Sequence, residues 1–212
     1  VNIAELEGRF AVTSQKLGVS ATHQAELLAL LKPLKDGPEP VRTHYAHSLR
    51  VGHKAHEIAR VTHHEPKPLL IAGTVHDVGK CEISADVLGK TANWTEADAL
   101  VMQEHVMAGY EILKSHFEFS AEIILWHHRF QKNGYPEVLP PPLHGYSEAT
   151  KVLIVEYGRI LALADVYDAL HRQNDKFDGD VDGQRIKELM FQFNPDCIRL
   201  VDQLYQTGIF AV

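Results

Sequence analysis

Apolar residues recur at intervals of three and four along most of this chain, the spacing of one face of an α-helix. Leu27, Leu28 and Leu31 follow it in the first clear segment, and Tyr45 and Leu49 with His47, Val51, Ala55 and Ile58 in the next. Residues 98–114 repeat it through Leu100, Val101, His105, Ala108 and Ile112. Ser120 reads as the cap of a helix running to His128, with Glu122 in its first turn. Residues 157–171 are strongly apolar, and Asn194-Pro195 reads as a cap followed by proline at the first helical position, with Gly208 past the end. Breaks fall at 35–40 (KDGPEP), 65–68 (EPKP) and 131–148. No alternating segment is long enough for a sheet core. The pattern predicts an all-α bundle of about eight helices.

Composition narrows the class. The chain has 212 residues and a formal charge of −7, from 21 Lys+Arg against 28 Asp+Glu. That balance argues against a surface for duplex nucleic acid. No apolar run approaches the roughly 18 residues of a membrane span, and the start carries no signal-peptide pattern. Two distant cysteines, Cys81 and Cys197, exclude a disulfide scaffold and a thiolate zinc ribbon, and suit a reducing cytoplasm. Histidine is abundant, at 14 residues against 7 Tyr and 8 Phe, and imidazole is the commonest metal ligand.

Where the histidines fall decides their meaning. His47 lies in line with Val51, Ala55 and Ile58; His76-Asp77 ends the apolar run 69–78; His105 shares a face with Val101 and Ala108. His127-His128 ends the run 121–126, and Asp165 interrupts 160–170. An ionisable group on a core-facing stripe is costly without a partner. Any one of the seven alone reads as a satisfied core residue. Together, from five helices, they form the kind of inward-pointing set from which helical bundles build metal sites. Imidazoles with carboxylates and no thiolates suit Fe, Mn, Zn or Co. His23, His53, His56, His63, His64, His116, His144 and His171 fall in polar faces or loops and read as solvated, with His44 ambiguous.

The order of these motifs resembles the HD superfamily of metal-dependent phosphohydrolases, whose His, His-Asp and later Asp are matched by His47, His76-Asp77 and Asp165. It is closer to the HD-GYP branch. HDxGK corresponds to residues 76–80, HxxxG to 105–109, HH to His127-His128, GYP to Gly134-Tyr135-Pro136, and RILxxADVYDAL to 159–170. The similarity covers about residues 43–208. It implies a helical N-terminal extension over 1–40 and an HD-GYP-like HD domain over 41–212, an HD-domain helical bundle with an interior metal site.

Two departures stand out. The Glu found four residues before the first His is Thr43 here, which implies two metals rather than three. The loop reads HHRFQKNGYP, so Arg129 replaces a Glu, an Asp-Gly pair is missing, and the loop is one residue shorter.

The resemblance implies two divalent ions, Fe or Mn, with Zn or Ni also tolerated. His47, His76, Asp77 and Asp165 would hold one; His105 with His127, His128 or both would hold the other; Asp77 would bridge. Asp77 and Lys80 are the implied catalytic residues, and Lys80, Arg129 and Tyr135 the implied substrate contacts. Lys80 on its own reads as a cation at a helix C-terminus, and the motif context favours the functional reading; Arg129 reads as a phosphate ligand or a solvated residue. Asp168, one turn beyond Asp165, is placed either to orient a ligand histidine or to face solvent. The implied activity is a cyclic-dinucleotide phosphodiesterase, cyclic di-GMP first. The alternatives are a general nucleotide or phosphomonoester phosphohydrolase, a di-iron oxygenase, and a degenerate module that binds a dinucleotide and signals. Partners to expect are the phosphate-ester substrate and, beyond it, a signalling partner or a second copy of the chain.

Overall fold

A computed structural model describes residues 2–90, 92–171 and 182–211. Among them are eleven α-helices, one 3-10 turn and no strand. The all-α expectation holds, and the helix count exceeds the expected eight because proline-rich breaks open helices instead of only interrupting them. Glu65 caps α5 (Pro66–Val75), and Pro66 takes the first helical position, where its missing N–H costs nothing. Likewise α4 (Glu39–Val61) starts just after Pro38, with Pro40 in its first turn.

Before it come α1 (Ile3–Lys16), α2 (Ala21–Leu30) and the short α3 (Lys32–Asp36). Their residues Phe10, Leu27, Leu31 and Leu34 are fully buried and continuous with Tyr45, Leu49 and Ile58 of α4 in one core. After α5 the chain makes a 3-10 turn (Val78–Glu82) and a single helical turn, α6 (Ala85–Leu88). Then come α7 (Glu96–Leu113), opened by a Thr95/Asp98 capping box, and α8 (Glu118–Ile124). The 23-residue α9 (Glu148–Leu170), capped by Ser147, crosses α4, α5 and α8; α10 (Gly183–Phe193) and α11 (Ile198–Gln206) close the fold.

Two backbone crossings position the site. Where α4 meets α5, a Cβ on Gly73 would lie 2.8 Å from the Gly52 Cα, and one on Gly52 would lie 2.3 Å from Thr74 Oγ1. Gly52 and Gly73 carry no side chain at that crossing, so the helices approach closely and bring His47 and His76 to a ring separation of 5.1 Å. The 3-10 turn sits on α7 in the same way: a Cβ on Gly79 would be 1.9 Å from the His105 carbonyl oxygen.

Three local expectations need correction. Ser120 does not cap α8; the helix starts at Glu118 and buries Ser120 in its interior, because burial of Ala121, Ile123 and Ile124 fixes its start. It also stops at Ile124, so His127 and His128 lie in the turns beyond it. Asn194 does not open α11. Its amide donates to the Met190 carbonyl (2.7 Å) and accepts from Arg159 (3.0 Å), closing α10, and α11 begins at Ile198.

Candidate metal centre

His47 comes from the middle of α4, His76 and Asp77 from the end of α5, and His105 from α7. His127 and His128 come from the turn after α8, and Asp165 from α9. All seven converge. His47 Nε2 lies 3.0 Å from Asp165 Oδ1 and 3.5 Å from Asp77 Oδ2. His76 Nε2 lies 3.4 Å from Asp77 Oδ2 and 3.8 Å from Asp165 Oδ1. His105 Nε2 lies 3.3 Å from the other Asp77 oxygen, Oδ1, and 3.4 Å from His127 Nε2. His128 packs on His127 with ring centroids 4.0 Å apart. Six of the seven are buried, and His128 is half-buried.

Four rings are oriented by their far nitrogens. His76 Nδ1 donates to the Gly73 carbonyl (2.8 Å), His105 Nδ1 to Met102 (2.5 Å) and His127 Nδ1 to Ile124 (2.5 Å). Each acceptor is three residues back on the ring's own segment. His47 Nδ1 donates instead to Asp168 Oδ2 at 2.7 Å, and Arg50 grips that carboxylate through Nε (2.6 Å) and Nη2 (2.9 Å). Carbonyls and carboxylates only accept, so the proton of each neutral ring is held on Nδ1 and the Nε2 lone pair is left facing the cluster. Histidines that ligate metals are held in this way.

The donor set fits a cation. The lone pairs of His105 and His127 face one another at 3.4 Å, close to the spacing of two ligands about 2.1 Å from a shared ion. His76 Nε2 and Asp77 Oδ1 are buried without a hydrogen-bond partner, an expensive arrangement in a core unless a metal satisfies them. Among the described residues, three ligand triads meet the spacing of a metal site: His47/His76/Asp165, His76/Asp77/His127 and His105/His127/His128. The cluster is thus able to hold a divalent metal.

Electrostatics favour neutral ligands at His105, His127 and His128, whereas His76, against its burial, is raised by the Asp77 and Asp165 charges, a rise that an adjacent cation would offset. Burial pushes His105 down to about 4, and burial with the neighbouring His76 and His105 pushes His127 down to about 3, so both stay neutral ligands. Burial also holds His128 well below its ordinary value. Asp77 works against burial but is kept ionised, well below the usual carboxylate range, by His76, Lys80, His105 and His47. Asp165 is held low against burial by His47 and His76.

The flanking residues have definite places. Lys80 Nζ donates to Asp77 Oδ2 at 2.6 Å and is buried. Tyr135 stacks on His128 with centroids 4.5 Å apart and meets His105 edge-on. Arg129 donates to the carbonyls of Pro136 and Glu137 and lies over the Trp126 ring, so its guanidinium is built into the loop. Asp168 faces inward rather than toward solvent. Thr43 is exposed and donates to the Pro40 carbonyl, outside the cluster.

Sequence reasoning missed two features. His53, read as solvated, is 4% exposed, because α1 covers what would otherwise be a polar face of α4. Arg50 carried no signal, since its partner Asp168 lies 118 residues away.

Comparison with known proteins agrees with this geometry. The HD domain family model matches residues 44–170. The cyclic di-GMP phosphodiesterase response regulator RpfG of Xanthomonas campestris pv. campestris is 34% identical over 129 residues, 57% of this chain and 32% of that protein. A 3'3'-cGAMP-specific phosphodiesterase 2 of Vibrio cholerae is 33% identical over 139 residues, 61% of this chain and 25% of its own length. The chain therefore spans about a third or less of these relatives. The HD domain of the Listeria monocytogenes phosphodiesterase PgpH, solved with cyclic-di-AMP, superposes with a TM-score of 0.55 at 18% identity. That superposition covers 86% of this chain and 85% of the other, a likeness of fold. The matched span takes in every residue of the cluster, and the chain belongs to the HD domain family.

Proposed function

We propose that this chain is a metal-dependent phosphohydrolase that opens a cyclic dinucleotide, cyclic di-GMP first, at a centre of two Fe or Mn ions. The observation that carries the proposal is Asp77. One of its oxygens faces His47 and His76 and the other faces His105, the arrangement of a carboxylate shared between two ions. His47, His76 and Asp165 would complete one position, and His105, His127 and His128 the other. When bound, such ions supply an activated water and neutralise phosphoryl oxygens. The cyclic-dinucleotide substrate is supported by the activities named for the relatives.

The chain's own residues supply the rest. Lys80, anchored on Asp77, would donate to a non-bridging oxygen of a phosphate seated over the cluster. Tyr135 is held protonated by burial and by the Asp165 and Asp77 charges, so its hydroxyl serves as a donor at the mouth of the site. Arg129 holds the Tyr135 loop in place rather than reaching for phosphate. Its altered loop favours a second reading, a phosphohydrolase acting on simple phosphomonoesters. The catalytic unit would span 41–212, with 1–40 as its buttress, in the cytoplasm and working with a signalling partner or a second copy of the chain.

The test is to load the full chain with Mn²⁺ or Fe²⁺ and offer cyclic di-GMP, 3'3'-cGAMP and a panel of phosphomonoesters. Linear dinucleotide or mononucleotide should appear. Asp77→Asn should lower metal content and remove turnover together, whereas Lys80→Ala should keep its metal and turn over on the order of a hundredfold more slowly. Turnover of phosphomonoesters alone selects the second reading. Tight dinucleotide binding with no turnover would make the chain a binding module and overturn the proposal.

A further inference from the structure

Behind His47, on the side away from the metal cluster, α1, α4 and the end of α9 enclose a cavity of about 220 Å³. It contains none of the seven cluster residues, and it is smaller than the roughly 300–1,000 Å³ of pockets that take drug-sized ligands. Three permanent cations line it, Arg9, Arg50 and Lys54, against two carboxylates, Glu57 and Asp168. Both carboxylates are already shared. Glu57 pairs with Arg9 (2.9 Å) and Lys54 (2.8 Å), and Asp168 with Arg50 and His47.

Unused donors remain. Arg50 spends Nε and Nη2 on Asp168, Arg9 spends Nη2 on Glu57, and a guanidinium has five N–H groups. His53 lines the same cavity, is 4% exposed, and its Nε2 has no hydrogen-bond partner. A buried polar atom left unpaired is costly, and a ligand that accepts from the spare guanidinium N–H groups would also accept from His53 in its Nε2–H tautomer. Guanidinium forks match the geometry of tetrahedral oxyanions.

We infer that this cavity is a binding site for a small oxyanion of the phosphate class, held by Arg9, Arg50 and His53, separate from the metal cluster. The site stands one ion pair from the cluster, through Arg50, Asp168 and His47. It does not rest on the proposed activity.

The experiment titrates inorganic phosphate, at constant ionic strength, into the full chain both metal-loaded and chelator-stripped. The imidazole resonance of His53, assigned with His53→Gln, reports binding. A saturable shift is expected in both forms. Arg9→Gln, at an exposed side chain, should weaken it about tenfold, and Glu57→Gln, which removes a competing acceptor, should strengthen it. An absent shift would overturn the inference. So would a shift that vanishes with the metal and ignores Arg9→Gln, because the phosphate would then be bound at the metal cluster.

Discussion

Asp168 does for His47 what a main-chain carbonyl does for the other three oriented rings, and it does so from a different helix. Asn at this position keeps the size but loses the charge that pairs Arg50, and it can present a donor where an acceptor is needed. Asp168→Asn should therefore lower metal affinity about 10- to 100-fold, as loss of such ring-orienting partners does. Competition with a chelator measures this, and an unchanged helical circular dichroism spectrum separates it from unfolding. His53 governs a different property. Burial, with the nearby Arg9, pushes it from 6.5 down to about 4. On acidification the unfolded chain takes up that proton near 6.5 while the native protein resists until about 4. Stability contributed by the neutral ring is present above 6.5 and is lost as pH falls to about 4. Urea denaturation across this range should show His53→Gln losing less stability on acidification than the parent. Asp77 and Asp165, held well below the usual carboxylate range, contribute stability that begins to be lost only as pH falls through the ordinary aspartate value near 3.8.

Among the elements, the contact of the 3-10 turn with α7 fixes how far Asp77 stands from His105. The atoms that a Gly79 Cβ would meet, the His105 carbonyl and the Gly109 nitrogen at 2.4 Å, are backbone and cannot rotate away. Gly79→Ala must push α7 outward, and His105 moves with it. A loss of about 1–3 kcal/mol of stability is expected, with reduced metal content, read by thermal melting and metal analysis. Gly109→Ala meets the end of the Ile124 side chain at 3.1 Å and the Gly79 nitrogen at 3.3 Å, a smaller overlap than at Gly79, and should be milder. The helices that carry the cluster were legible because burial imposes a period: His47 with Val51, Ala55 and Ile58 marks one stripe of α4. Ser120 and Asn194 misled because a cap residue is a local signal, and tertiary burial decided both helix ends. The Arg50–Asp168 pair was not legible at all, since nothing local links α4 to α9. Arg129 was left between two roles because its partners, the carbonyls of Pro136 and Glu137, exist only once the loop has folded.

At the scale of the whole molecule, the family match begins at residue 44, but the core does not. Phe10, Leu27, Leu31 and Leu34 are buried in the same core as α4 and α5. At about 1.5–3 kcal/mol per side chain they contribute about 6–12 kcal/mol, against a typical total stability of about 5–15 kcal/mol. A chain cut to start at residue 44 should lose its cooperative melt by circular dichroism, while the full chain keeps it. The self-anchored rings have a consequence for how the centre is put together. His76, His105 and His127 each take their bearing from a carbonyl three residues back, so they can point correctly as soon as their own turns form. His47 and Asp165 cannot, because the first needs Asp168 and the second is itself part of α9. Until α9 docks, the cluster offers three imidazoles and the Asp77 carboxylate, a nitrogen-rich set that suits copper, nickel or zinc; docking adds a second carboxylate, Asp165, of the kind harder ions such as manganese prefer. A newly made chain is therefore expected to take a softer ion if metal is offered before α9 arrives than if it is offered afterwards, which metal analysis of chains refolded in defined ion mixtures would read.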